Sequence, residues 1–140
     1  MGDDLFVTGR LGGALKQKHL QFIPRIVESR WLTGNFPIHA MMDLSDGLGA
    51  DLPRLAGASK LGFKIDKEKL PLAGGATINN AISDGEDYEL LFAISPRDRG
   101  RLKRAWRKKF PRLPLTRIGS FSQSSTLNSQ LLPGGYVHFQ

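Results

Sequence analysis

The sequence predicts an α+β domain in which a mixed β-sheet is packed by helices in layers. Strand-like and helix-like segments follow one another in irregular order along the chain, a pattern typical of this class. The chain has 140 residues, which is enough for one hydrophobic core. Forty per cent of the residues are hydrophobic and 24% are charged, the composition of an ordinary globular protein. We therefore expect a single domain over residues 1–140, with no linker that splits it.

The chain begins with a strand and a helix. Residues 4–9 form a short apolar run closed by glycine, which predicts a strand. The next apolar residues recur every four positions, at Ile23, Val27 and Trp31. This spacing predicts a helix with one apolar stripe, and Gly34 is expected to end it.

A second strand and helix follow. Residues 39–44 are largely apolar and lead into a polar turn, which predicts a buried strand. A helical stripe comes next, at Leu48, Leu52 and Leu55. Proline disrupts a helix interior, so Pro53 implies that the regular helix begins near Asp51.

The second half of the chain is expected to supply most of the sheet. A short helix is expected over residues 76–82. The remaining strands are predicted at residues 62–66, 88–94, 115–121 and 135–139. In the most strand-like of these runs, Tyr88, Leu90 and Phe92 are expected to face the core.

Basic residues concentrate in one segment. Residues 97–112 hold nine Lys/Arg and one acid, whereas the rest of the chain holds eleven bases and twelve acids. Ser95 and Pro96 begin a helix there, and its apolar stripe is Leu102, Trp106 and Phe110. A solvated outer helix is the favoured interpretation, because the bases surround the helix instead of forming one stripe. The alternative is a non-catalytic nucleic-acid-binding module, whose affinity would fall steeply with salt.

Several classes of site are excluded by what the sequence lacks. There is no cysteine, so disulfides and thiolate sites are absent. His19, His39 and His138 are too widely spaced to form a local ligand motif, so any metal would be a hard cation on oxygen ligands. No P-loop, nucleophile elbow or His-Glu-x-x-His motif occurs. The opening residues do not resemble a secretory peptide, and we expect a cytoplasmic protein.

The most informative short motif is Asp43-Leu-Ser-Asp-Gly47. Two carboxylates and a hydroxyl gather where a predicted strand ends and a helix begins, which supplies oxygen ligands for Mg²⁺ near backbone N–H groups that favour phosphate. Gly47 lets a phosphate approach the main chain closely. The alternative is that Ser45 or Asp46 caps the helix and Asp43 is solvated.

Two further motifs are candidate ligand contacts. Residues 84–89 hold four acids around the start of a predicted strand. These carboxylates are candidates to bind a cationic or hydrogen-bond-donating ligand, and the alternative is a solvated turn. Tyr136 follows two glycines and is a candidate stacking platform, with ordinary packing as the alternative.

Taken together and in order, these segments resemble thiamine-monophosphate kinase and, through it, the superfamily of aminoimidazole ribonucleotide synthetase and selenophosphate synthetase. The similar segments run along nearly the whole chain: residues 2–9, Pro24-Arg25, residues 42–48 with Asp51-Leu52, residues 70–72, residues 85–92 and residues 135–139. The fold implied is that of the superfamily's C-terminal domain. The activity implied is transfer of the ATP γ-phosphoryl group to thiamine monophosphate, giving thiamine diphosphate.

The resemblance also implies roles for five residues. Asp43 and Asp46 correspond to Mg²⁺ ligands, Ser45 to an ATP contact, and Glu86 and Tyr136 to contacts with thiamine phosphate. No residue is assigned as a catalytic base, because the acceptor is already an anionic phosphate oxygen.

Two departures from the family pattern qualify these expectations. Asp84 stands where the family often has glycine. The family's N-terminal half, with most of the Mg²⁺-binding acids, much of the ATP site and the main interface of the usual homodimer, has no counterpart among these residues. We therefore expect a C-terminal half-site that needs an N-terminal domain or a partner chain and has little activity alone. The rival within the superfamily is an enzyme acting on another phosphate acceptor.

Overall fold

The computed structural model describes residues 2–13 and 24–123, which form a sheet of five strands flanked by helices. The strands are β1 (Asp4–Thr8), β2 (Ile38–Asp43), β3 (Gly62–Ile65), β4 (Leu90–Ile94) and β5 (Leu115–Ser122). The helices are α1 (Ile26–Asn35), α2 (Leu48–Ala58), α3 (Ile78–Ser83) and α4 (Arg99–Lys109), with short 3₁₀ turns at Lys67–Lys69 and Pro96–Asp98. Within these residues, no helix has the length and apolar character needed to cross a bilayer.

The sheet confirms the predicted α+β class. Its strand order is β2-β4-β1-β5-β3, and neighbouring strands are antiparallel throughout. The sequence predicts a mixed sheet; in the described ranges the one parallel pairing is an isolated bridge between Leu11 and Leu72. The central strand β1 lies between β4 and β5, so both of its edges are paired.

Both faces of the sheet are covered. Side chains alternate along a strand, so Leu5 and Val7 of β1 face α2 and α3, while Phe6 faces α1 and α4. Phe6 stacks on Phe92 of β4 with ring centroids 5.6 Å apart. Every residue of β1 and β4 is buried. The result is a three-layer arrangement with a separate hydrophobic core on each side of the sheet.

Helix α4 matches its predicted stripe. Leu102 and Trp106 are buried against the sheet, and the Lys and Arg side chains from Arg101 to Lys109 are exposed. The Trp106 indole N–H donates to the carbonyl of Leu113 at 2.8 Å, which fastens the helix to the segment that leads into β5.

Helix α1 differs from its predicted stripe. Val27 is 64% exposed and Ile26 is 55% exposed, whereas Trp31 and Leu32 pack in the second core. The helix touches the sheet only through its C-terminal half, so the apolar residues of its first turn have no core to enter. It also continues past Gly34 to Asn35.

Three other elements differ from the sequence prediction: β2 in its burial, and α2 and β4 in where they begin. Strand β2 is an edge strand of partly exposed residues, because it pairs with β4 alone. Helix α2 begins at Leu48 and includes Pro53. Strand β4 begins at Leu90, so Leu90 and Phe92 face the core as predicted while Tyr88 lies in the preceding loop. The predicted strand at 135–139 lies outside the described residues.

The contact between β3 and β5 yields a stability prediction. A Cβ added at Gly119 would lie 2.0 Å from the carbonyl oxygen of Lys64 in the paired strand. We expect Gly119→Ala to lower the free energy of unfolding by about 3 kcal/mol, because two backbones must separate. Gly57→Ala is the control, since a Cβ at this exposed helix position meets nothing within 4 Å and should be neutral or stabilising. Equal midpoints in denaturant for the two variants would contradict this packing.

Candidate functional site

The two acidic motifs meet at one edge of the sheet. Strand β2 ends at Asp43, which pairs with Leu90 at the start of the antiparallel strand β4. The loop after β2, residues 44–47, therefore lies against the loop before β4, residues 84–89. We call these the β2 loop and the β4 loop.

Backbone hydrogen bonds join the two loops directly. All three have N···O distances of 2.8 Å: Glu86 N–H to Ser45 C=O, Tyr88 N–H to Leu44 C=O, and Leu44 N–H to Glu89 C=O. The β2 loop is thus fixed to the β4 loop by main-chain contacts.

Two glycines allow this close approach. Gly47 has a φ of 98°, and a Cβ there would lie 3.0 Å from the carbonyl oxygens of Ile82 and Asp84. A Cβ at Gly85 would lie 2.9 Å from the carbonyl oxygen of Ser45. Gly47 is needed both for its positive φ and because a Cβ has no room there, whereas Gly85 is needed only because a Cβ has no room.

The β4 loop holds two other residues in the left-handed region. Glu86 has a φ of 64° and Tyr88 a φ of 52°. Such conformations cost a non-glycine residue about 1–3 kcal/mol and persist only where surrounding contacts impose them. They turn Glu86 outward to solvent while Asp87 between them is buried. The Glu86 carboxylate is therefore presented at the surface by a rigid backbone.

The buried carboxylate of Glu89 anchors the β4 loop. Its side chain is 1% exposed and accepts hydrogen bonds from Thr8 Oγ1 at 2.7 Å and from two guanidinium nitrogens of Arg25 at 2.9 Å each. The Thr8 hydroxyl oxygen in turn accepts from Leu90 N–H at 2.9 Å. The hydrogen bond to Glu89 raises the pKa of Arg25 above its ordinary value. A Cβ at Gly9 would lie 2.2 Å from Glu89 Oε1, so the end of β1 also depends on this side chain.

A second buried carboxylate shapes the β2 loop. Asp51 of α2 is fully buried, and its Oδ2 accepts the backbone N–H groups of Ser45 and Asp46 at 2.9 Å each. Burial is the main cause that raises the pKa of Asp51. The Ser45 and Asp46 amides are therefore used within the protein.

The third buried carboxylate, Asp87, reaches the segment after β1. Both of its oxygens accept from the backbone N–H of Gly12 at 3.2 Å. Sequence reasoning missed these roles of Asp87, Glu89 and Asp51 because acids usually lie at the surface. The one available signal is that Glu89 directly precedes a five-residue apolar strand.

Three of the five predicted site residues lie on this pair of loops, and a fourth, Asp43, ends the strand directly before the β2 loop. Asp43 and Glu86 are exposed, whereas Ser45 and Asp46 are partly buried. The Asp46 carboxylate forms an ion pair with Arg54, which also donates to Asp51 at 3.1 Å. The structure thus brings Asp43, Ser45, Asp46 and Glu86 to one edge of the sheet. The fifth residue, Tyr136, lies outside the described residues.

Two carboxylates at this edge of the sheet have the donor chemistry of a hard divalent cation's ligands. Asp43 and Asp46 offer carboxylate oxygens, the donors that Mg²⁺ prefers, and Mg²⁺ commonly keeps several water ligands. No group of three or more His, Asp or Glu residues within 2–13 and 24–123 is arranged to hold a metal. Any cation here would take further ligands from phosphate, water or another chain, and would compete with Arg54 for Asp46.

Comparison with known proteins assigns the family. Residues 9–123 match the family described as AIR synthase related protein, C-terminal domain, and this range contains both loops and strands β2 to β5, while β1 lies just before it. The chain belongs to this family. The matched range therefore includes both acidic motifs.

Individual relatives are similar over most of this chain. The thiamine-monophosphate kinase of Rhodopirellula baltica is 33% identical, over 98% of this chain and 48% of the relative. The solved structure of thiamine monophosphate kinase from Aquifex aeolicus is 31% identical, with a TM-score of 0.68 over 87% of this chain and 48% of that chain. A structure described as AaThiL complexed with AMPPCP and TMP is 29% identical, with a TM-score of 0.75 over 99% and 52% of the two chains. The chain spans about half the length of the curated relatives it matches.

The Arg25–Glu89 pair yields a prediction about stability. Arg25→Gln leaves a buried carboxylate without this guanidinium, and we expect it to lower the free energy of unfolding by about 3–5 kcal/mol. Glu89→Gln keeps the shape and leaves a partly exposed cation that can reach Glu28, 3.7 Å away in the folded protein, or water. It should cost clearly less. Denaturant unfolding of both variants measures the difference in their free energies of unfolding. A larger loss for Glu89→Gln than for Arg25→Gln would contradict the view that Arg25 offsets the cost of burying the Glu89 charge.

Proposed function

We propose that the chain forms the C-terminal half of a thiamine-monophosphate kinase, which transfers a phosphoryl group from ATP to thiamine monophosphate to give thiamine diphosphate. The observation that carries the proposal is the backbone hydrogen bonding between the β2 and β4 loops, which puts Ser45, Asp46 and Glu86 beside one another. The curated relatives named thiamine-monophosphate kinase support it, as does the similar structure whose description includes AMPPCP, an ATP analogue, and TMP.

Each site residue has a role that suits this chemistry. Asp43 and Asp46 would hold Mg²⁺, which would neutralise phosphate charge, and Ser45 would contact ATP. Glu86 and Tyr136 would contact thiamine phosphate, with the Glu86 carboxylate fixed outward by its left-handed backbone. The acceptor oxygen is already anionic, so positioning and charge neutralisation are sufficient and no strong base is required.

The buried residues of the site would act as positioning residues. Asp51 holds the amides of Ser45 and Asp46, and Glu89 holds the β4 loop to Thr8 and Arg25. A preorganised site of this kind spends no binding energy on ordering its loops.

The remaining components of the proposal concern the whole enzyme. An N-terminal domain or a partner chain would supply the other Mg²⁺ ligands and most of the ATP site, within a homodimer in the cytoplasm. The 140 residues alone would then turn over little or no thiamine monophosphate.

A chimeric enzyme tests this function. The N-terminal half of the Rhodopirellula baltica relative would be fused to this chain, and thiamine diphosphate formation measured with Mg-ATP. We expect turnover, and we expect Asp46→Asn to lower kcat/KM by at least about tenfold, the scale of loss when a metal site is impaired. Asp98→Asn is the control, because Asp98 pairs with Arg101 on the far side of the sheet. A folded chimera that turns over a different phosphate acceptor but not thiamine monophosphate would contradict the assignment.

A further inference from the structure

A concave basic groove lies beside α4, apart from the two loops. It has a volume of about 480 Å³ and is lined along α4 and the segment before β5. Its cationic lining residues are Arg10, Lys103, Arg107 and Arg112. No Asp or Glu lines it, and neither do Asp43, Ser45, Asp46 or Glu86.

The groove is held open by contacts within the protein. Trp106 forms part of its wall and is fixed by its hydrogen bond to the carbonyl of Leu113. Phe110 packs on Trp106 with ring centroids 4.6 Å apart. On the other side, Gly9 N–H donates to Pro114 C=O at 2.8 Å, which places Arg10 at the groove. The shape does not depend on a ligand.

Most of the groove cations have no acidic partner. Lys103, Arg107 and Arg112 form no ion pair in the part of the chain that the structure describes. All thirteen acidic residues of the chain lie in that part, so residues 14–23 and 124–140 hold no acidic side chain to pair with them. Arg99 of the same helix, by contrast, is bound by the buried carboxylate of Asp4.

The arrangement carries an energetic cost that an anion would remove. Lys103 and Arg107 are four residues apart on one helix face, where like charges destabilise a helix. Arg112, which forms no ion pair in the described residues, adds another positive charge beside the same space. A singly charged ion would leave most of this repulsion in place. A ligand with several negative charges would neutralise it.

We propose that this groove binds an oligophosphate anion, the chemistry shared by inorganic polyphosphates and by the phosphate chains of nucleotides. Guanidinium groups bind phosphate oxygens in pairs, and a lysine adds a mobile point charge. The groove volume lies within the range of about 300–1,000 Å³ that is usual for small-molecule sites. An extended nucleic acid fits less well, because two aromatic side chains line the groove, of which Trp106 is 3% exposed and Phe110 is half-buried, so they offer no open platform for successive bases. The proposal does not depend on the kinase function.

Paired variants on α4 provide the test. Calorimetric titration of inorganic tripolyphosphate into the 140-residue chain at about 0.15 M ionic strength would compare the double variant Lys103→Gln, Arg107→Gln with Arg104→Gln, Lys108→Gln. Each pair removes one Lys and one Arg, four residues apart, from exposed positions of one helix, but only the first pair lines the groove. We expect the groove variant to weaken binding at least about tenfold and the control less than about threefold, because exposed charges outside the site are screened.

Three results would overturn the proposal. The first is an equal loss in both double variants, which would mean that the helix attracts anions through its general charge. The second is no heat of binding for tripolyphosphate at millimolar concentration by a chain whose melting temperature shows that it is folded. The third is tight binding of a single-stranded oligonucleotide that both double variants weaken alike, which would assign the surface to nucleic acid.

Discussion

The buried carboxylate of Glu89 is the interaction on which the candidate site depends. Its side chain binds Thr8 at the end of β1 and Arg25 just before α1, while its carbonyl binds Leu44 after β2. One residue thus fixes the ends of two strands and the start of a helix. Such a group would be costly to bury alone, and the bidentate contact with Arg25 offsets that cost. The closeness of Gly9 to the carboxylate shows how tightly this junction is packed.

Local patterns were enough to predict the elements whose apolar periodicity matches their final environment. Helix α4 is the clearest case, because Leu102 and Trp106 recur on one face and that face meets the sheet. The exposure of Val27 was beyond a local pattern, since it depends on how far α1 extends past the core. The burial of Glu89 was also beyond it, because only the folded chain brings Arg25 to that position.

In the candidate site too, the sequence motifs could be predicted, whereas the contacts that form only in the folded chain could not. The acidic motifs around Ser45 and Glu86 were visible in the sequence, and antiparallel pairing of β2 with β4 explains why they meet. The use of the Ser45 and Asp46 amides by Asp51 was not visible, because it requires α2 to fold back on the loop. The site is therefore described better as two rigid loops carrying outward side chains than as a backbone cradle. The net charge is separate from it and belongs to α4.

The central proposal, that Asp43 and Asp46 bind a cation beside the joined β2 and β4 loops, is tested most directly by NMR titration of the ¹⁵N-labelled chain with Mn²⁺. The account predicts that the amide signals of the β2 loop and of residues 84–86 broaden together, at the same low metal concentration. Broadening that begins around Asp66 and Glu68, or that spreads over all exposed acids with no preference for the loops, would contradict it.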